Sequence, residues 1–311
     1  MTRTPSWWPD AAVSCYEDLV AYRLVGASAC TDRLTTALVA VSLESQERGR
    51  DVWNDLAFGS ELLCELKPDT ALYRNVVTML TRAGRGGRAQ DVQAAARYVA
   101  DYRKAATSSV VTQAQMYLAD AHTVLVHDYS STVTRILQGL GAARPRRVVV
   151  TAGEPLGQGV KVAQLAAGAG HKVVYTPDMS VARVIDGVDC FLTGVESFYP
   201  DGSLANTVGT LMLTLLCREH EVPVIAPAES LKCDLRRASV TDASLAARLL
   251  HPWPSDTGLP LDAQVVQSVL DSVPATMVTT YLTEQGPCAP DRVGSLARQR
   301  SAELERLLNG A

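Results

Sequence analysis

Aromatic side chains make up only 5% of the 311 residues, and the whole chain holds three phenylalanines. That leaves little stacking surface for single-stranded nucleic acid. An excess of one charge is missing too. The formal net charge is −4, so no global field draws the chain to nucleic acid or an acidic membrane. The basic clusters Arg82–Arg88 and Arg144–Arg147 are short and read as solvated loops. The seven cysteines (Cys15, Cys30, Cys64, Cys190, Cys217, Cys233 and Cys288) form no CxxC pair, so neither a zinc site nor a disulfide framework is indicated. No apolar run reaches ~18 residues, and no membrane span is expected. The first residues, MTRTPSWWPDAA, lack the apolar stretch of a signal peptide. These absences predict a cytoplasmic protein that works on a small molecule. No metal, cofactor, nucleic acid or membrane is expected as a partner.

What is present is apolar patterning. Hydrophobic residues make up 47% of the chain, enough for a sizeable core, and the length suggests two domains. The spacing of apolar residues predicts helices over Asp32–Gln46, Val52–Leu66, Ala71–Thr81 and Ala89–Tyr102. Asp69 or Thr70 is placed to cap the third. The glycine–arginine stretch 83–88 breaks the pattern and reads as a loop. Near His122 the grammar changes. Thr123–His127, Val148–Thr151, Lys172–Thr176, Cys190–Thr193 and Val222–Ala226 read as strands. Ser130–Leu140, Lys161–Gly168 and Thr207–His220 read as helices. The expected fold class is therefore α/β. A helical N-terminal domain (1–121) precedes a Rossmann-like parallel-sheet domain (122–311).

In such sheets ligands bind beyond the carboxyl ends of the strands. That rule selects His127 and Asp128, Gly153–Gly159, Asp178, Gly194–Glu196 and Ala228–Lys232. Gly153, Gly157 and Gly159, with Glu154 and Gln158 between them, follow a strand and open a helix, where backbone amides favour an anion. The same spacing resembles the glycine motif of short-chain dehydrogenases, with Asp178 ~20 residues on. No Tyr-x-x-x-Lys accompanies it and about 150 residues precede it, which argues against a dinucleotide. Asp128 and Ser130 either act on a substrate or cap the next helix. Asp178 carries the same two readings. Asn206 is placed to donate to a substrate oxygen, or it merely precedes a capped helix. Asp201-Gly202-Ser203 before it has the composition of a hairpin turn.

Several segments together match one family. Asp189-Cys190-Phe191-Leu192-Thr193-Gly194-Val195-Glu196, continuing to Asn206-Thr207-Val208-Gly209-Thr210, is similar to a "D-hydrophobic-GAE…NG…NKIGT" stretch. Pro223–Lys232 resembles "PFYVVAESFKF", and Tyr281–Gly286 resembles "ITEXG". Gly26-Ala27-Ser28 sits where the family's isomerases carry "RGA", and Lys67-Pro68-Asp69-Thr70 resembles their "RPT". The chain thus resembles the superfamily of methylthioribose-1-phosphate isomerase, ribose-1,5-bisphosphate isomerase and the alpha, beta and delta subunits of eukaryotic translation initiation factor two B. The resemblance implies a helical domain followed by a Rossmann-like domain, and a homodimer built on the latter. It implies, in the isomerases, a cysteine and an aspartate that interconvert an aldose and a ketose phosphate. The aspartate corresponds to Asp178, and the cysteine falls at Asp128. The initiation-factor branch also lacks that cysteine, and His127, Tyr129 and Ser130 lean towards it. Three phosphate-binding residues of the isomerases are replaced, by Val25, Glu154 and Thr207. Glu154 at close range would repel a phosphate, whereas Arg23 and Lys232 offer partial compensation.

Two functions follow as expectations. In the first, Asp128 and Asp178 form a carboxylate pair that moves a proton between adjacent sugar carbons. Gly26, Ala27, Ser28, Glu154, Gln158, Asn206, Thr207 and Lys232 then bind the substrate. In the second, the pocket has lost its chemistry and senses a sugar phosphate or nucleotide, as an assembly subunit would.

Overall fold

A computed structural model describes residues 4–21, 23–24, 26–154, 157–239 and 269–310. Val25 lies outside them. Five helices come first: α1 (Asp10–Val20), α2 (Ala27–Glu47), α3 (Val52–Glu65), α4 (Ala71–Ala83) and α5 (Ala89–Tyr117). Each of the four helices expected from periodicity is present. The glycine–arginine stretch contains a single 3-10 turn, Gly84–Gly86, and a left-handed Gly87. Leu34, Leu38, Leu56, Leu63, Leu72 and Leu80 form the centre of this layer and are fully buried with Tyr73. Asp51 caps α3 by accepting from the Asn54 amide at 3.0 Å.

Two helices run further than the sequence pattern predicts. Helix α2 begins at Ala27. Helix α5 continues past Tyr102 to Tyr117 because Val110 and Ala114 are buried along its second half. Its first half packs on α2 and α4, and its second on α6 and the strands β9 and β10.

The second layer opens with β1 (Thr123–Val126), whose first amides are fixed by Asp189: its Oδ2 accepts from His122 and Thr123 at 2.6 and 2.8 Å. The chain then alternates through α6 (Ser131–Ala143), β2 (Arg147–Thr151), α7 (Gly159–Gly168), β3 (Lys172–Thr176) and β4 (Cys190–Leu192). After β5 (Ser197–Phe198) and β6 (Leu204–Thr207) come α8 (Thr210–Glu219) and β7 (Val224–Pro227). The described residues end with β8 (Leu270–Val273), β9 (Thr280–Thr283), β10 (Gly286–Cys288) and α9 (Pro290–Gly310). The main sheet has the order β10-β9-β7-β4-β1-β2-β3 and is parallel except for β10. Alternate side chains serve opposite faces. Val124, Val126, Val148 and Val150 join the core with α6 and α7. Leu125, Val149 and Phe191 join the other, with Leu213 and Cys217 of α8. All five expected strands appear. The Asp201–Ser203 turn closes the β5–β6 hairpin, with Asp201 Oδ1 accepting from the Ser203 amide and hydroxyl. The small antiparallel sheet β5-β6-β8 was not expected. No helix among the described residues is long and apolar enough to cross a membrane.

The two layers are joined where α4 begins. Thr70 is the N-cap residue, yet its own hydroxyl caps nothing in the helix. Instead Ser197, from β5, accepts from the Ala71 amide at 2.7 Å and donates to the Asp69 carbonyl at 2.7 Å. The helix is therefore capped by the other layer, which satisfies an otherwise orphaned amide. Asn75 adds donations to the Leu231 and Cys233 carbonyls at 2.8 and 2.9 Å. We expect Ser197→Ala to lower stability by about 1–2 kcal/mol, the cost of a lost cap in a buried position. Urea unfolding monitored at both layers checks this; an unchanged midpoint would contradict the capping role.

Candidate functional site

A cavity of about 140 Å³ opens at this junction. Its walls on the sheet side come from three neighbouring strands of the order β7-β4-β1. Lys232 follows β7, Val195 and Glu196 follow β4, and Asp128–Ser131 follow β1. Asn206 and Thr207 enter from β6. The helical layer supplies Gly26, Ala27 and Ser28 at the start of α2, and Leu66–Thr70 before α4. Two helix N-termini, of α2 and α6, thus border one space. Neither carries an acidic residue in its first turn, and each end directs the partial positive charge of its helix dipole towards this space.

Asp128 is buried and has a left-handed backbone, φ 56°, which Asp and Asn tolerate better than most residues. Its Oδ2 accepts from the Thr207 hydroxyl at 2.5 Å, while Oδ1 has no hydrogen-bond partner among the described residues. Burial pushes its carboxyl above the usual range. Thr207 and the neighbouring His127 oppose that shift, and the Glu196 charge adds to it. Thr207 therefore holds the carboxyl in place. Ser130 is the N-cap of α6, accepting from the Val133 amide at 3.4 Å. The capping reading holds, and Ser130 also lines the cavity.

Glu196 faces the same space. Its Oε1 accepts from the Thr70 hydroxyl at 2.5 Å, a bond between the two layers. Lys232 is enclosed, and its Nζ donates to the Val195 carbonyl at 2.6 Å. Burial pulls its ammonium below the usual lysine range, against the attraction of Glu229 and Glu196. Glu229 is itself buried and raised by desolvation, and Arg103 stands 3.9 Å away. Arg103 reaches on to Asp32 at 2.5 Å. Lys67, near Cys30, is a second amine on the cavity wall.

Of the residues expected from sequence, Asp128, Gly26, Ala27, Ser28, Asn206, Thr207 and Lys232 line this cavity. Asp178, Glu154 and Gln158 stand outside its lining. Asp178 follows β3, the outermost strand, and its carboxylate accepts from the Gly153 and Glu154 amides at 2.9 and 2.8 Å. Gly153 stands between the two aspartates. A Cβ there would meet Asp128 Oδ1 at 3.3 Å, so the glycine permits close approach. Asp178 thus shapes the turn that backs Asp128. Glu154 is exposed, so water screens the repulsion expected of it. Arg23 is exposed and paired with Asp18 at 2.7 Å, not with the cavity. Asn206 is buried and donates to Thr210 Oγ1 at 3.0 Å. Glu196, at a strand end, and Lys67–Thr70, in the stretch that resembles "RPT", also line the cavity, and neither position by itself indicates a role. His127 is structural: its ring bonds Thr151 Oγ1 at 2.6 Å and the Val208 carbonyl at 2.8 Å.

Because the folded-state pKa of Asp128 is raised, its carboxyl contributes stability that is fully present below about pH 4, the unfolded value. That contribution is lost as pH rises through the folded value. Asp128→Asn removes the titration and keeps a side chain suited to the backbone. We expect the stability of the wild type relative to D128N to fall from pH 4 towards neutrality. Parallel denaturation series at several pH values check this, and a pH-independent difference would overturn it.

With the geometry in hand, comparison with known proteins is informative. The family model described as "Initiation factor 2 subunit family" matches residues 24–290. The translation initiation factor eIF2B subunit alpha of Dictyostelium discoideum is 27% identical over 193 residues, covering 58% of this chain and 59% of that one. The ribose 1,5-bisphosphate isomerase of Archaeoglobus fulgidus is 23% identical over 241 residues, covering 76% and 77%. This chain thus spans less than two thirds of the first relative's length. In fold it is similar to the translation initiation factor eIF-2B of Pyrococcus horikoshii, with TM-score 0.78, 18% identity and coverage of 91% and 98%. The 5-methylthioribose 1-phosphate isomerase of the same organism gives 0.75, 18%, and 94% and 88%.

Proposed function

The chain belongs to the initiation factor 2 subunit family, and on that premise we propose that its cavity binds a phosphorylated sugar and moves a proton between adjacent carbons. The family holds both sugar-phosphate isomerases and initiation-factor subunits. The observation that favours an isomerase is the buried, raised carboxyl of Asp128 beside a second carboxylate, Glu196, in one enclosed space. Proton transfer between carbons needs one group that gives a proton to the carbonyl oxygen and one that takes a proton from carbon. Two carboxyls in different environments fill those roles. Asp128, whose carboxyl burial pushes above its usual range, is the acid, and Glu196 is the base. Asp178 acts as a positioning residue through Gly153. Lys67, Ser28 and the N-termini of α2 and α6 receive the phosphate. Asn206, Thr207 and Lys232 face the carbonyl end. The protein acts as a homodimer through its sheet layer, in the cytoplasm and without a cofactor.

A second reading is supported by the Thr70–Glu196 bond between the layers. A ligand that competes for Glu196 would loosen that junction, which suits a sensing or assembly subunit. One experiment separates the two. The protein is incubated in deuterated water with aldose 1-phosphates and their non-phosphorylated counterparts. We expect deuterium on carbon, reduced about 10²–10⁴-fold by Asp128→Asn or Glu196→Gln. Thermal stabilisation by the phosphates without exchange would replace the isomerase reading with the sensor. Neither effect would sink both.

A further inference from the structure

Lysine is rare in this chain. There are five, against twenty-four arginines. Lys104, Lys161 and Lys172 are exposed, and Lys161 lies over the Tyr129 ring at 3.8 Å. The other two, Lys67 and Lys232, both line the cavity. For holding an anion, arginine is the stronger choice: its charge is permanent and its fork matches phosphate. What arginine lacks is a neutral form. A lysine enclosed in protein readily becomes a free amine, and a free amine is a nucleophile for carbonyl carbon.

Lys232 is the better placed of the two for that chemistry. It is enclosed, at 5% exposure, and its hydrogen bond to the Val195 carbonyl orients Nζ. Burial already favours its neutral form. The groups that imine formation requires, a proton donor and a proton acceptor, are Asp128 and Glu196 on the same walls.

We propose that Lys232 condenses with the carbonyl carbon of an open-chain sugar phosphate bound in the cavity, forming an imine. This rests on the sugar-phosphate reading above. The Nζ lone pair attacks the carbonyl carbon, and the C=O π pair moves to oxygen, which takes the proton of Asp128. Glu196 removes one proton from the new ammonium, leaving a carbinolamine. That proton then returns to the hydroxyl, which departs as water while the nitrogen lone pair forms C=N. The resulting iminium passes its proton to Asp128, restoring both carboxyls. Amine plus carbonyl gives imine plus water, with no oxidant or reductant.

Reductive trapping tests this on the full chain. Fructose 1-phosphate and, separately, ribose 5-phosphate are added with sodium cyanoborohydride, which reduces an imine to a stable secondary amine. Intact mass and peptide mapping then locate the adduct. We expect one saturable adduct at Lys232, forming about tenfold or more faster than at Lys104, Lys161 or Lys172, and lost in K232R. The three exposed lysines serve as internal controls for non-specific glycation, so the wild-type result stands even if the variant folds poorly. Adducts spread over the exposed lysines with no excess at Lys232, alongside thermal stabilisation by the sugar phosphate, would overturn the imine while leaving the sugar-phosphate reading intact. Absence of both adduct and stabilisation by either probe would remove that reading as well.

Discussion

Asp128, Glu229 and Lys232 are ionisable groups enclosed where three central strands end. Taking such groups out of water is unfavourable unless each finds compensation. Much of the local structure is that compensation. Thr207 donates to Asp128, the Val195 carbonyl receives Lys232, and Arg103 approaches Glu229 from α5. Among the described residues it is incomplete: Asp128 Oδ1, Glu229 Oε2 and Arg103 Nε have no hydrogen-bond partner. Unsatisfied groups of this kind mark sites that are built for something other than stability. The raised carboxyls and the lowered ammonium express the same fact in titration, since each group is pushed towards its neutral form.

The helical layer matters because it covers these groups. Its contribution is made through short polar bonds: Thr70 to Glu196, Asn75 to the Leu231 and Cys233 carbonyls, and Ser109 to the Glu284 carbonyl. Glu284 in turn gathers the Ser230 amide and hydroxyl. These bonds hold specific partners in register. Apolar packing joins the layers as well: Leu231 and Leu304 belong to the core of the helical layer, and Ala114 of α5 to one core of the sheet.

The parallel strands were legible in the sequence because a strand buried on both faces reads as a short apolar run between polar ends. The small sheet was not. Its strand β5 has two residues, and β8 pairs with β6 across more than sixty residues of chain, beyond any local pattern. Asp128, Glu196 and Lys232 were selected by the rule that ligands sit beyond strand ends, and Thr207 by the family resemblance. The same rule pointed to Asp178, because it does not state which strand ends lie beneath the helical layer. That depends on strand order. Strands β1, β4 and β7 are adjacent and covered, whereas β3 is outermost. Order is set by tertiary packing, so the sharing of one cavity by Glu196 and Asp128 became visible only with the fold. The extension of α5 past Tyr102 has the same origin: the sheet buries one face of a segment whose own periodicity is weak.

The cap that Ser197 places on α4 also bears on how the chain matures. Ser197 follows Ala71 by 126 residues. At a synthesis rate of 5–20 residues per second, it leaves the ribosome roughly 6–25 s after the helix it completes. Through that interval the first turn of α4 has only water to satisfy the Ala71 amide. The helical layer can collapse early on its leucines, but its final register waits for a hairpin not yet made. The finished N-terminal layer therefore comes into being only when β5 docks.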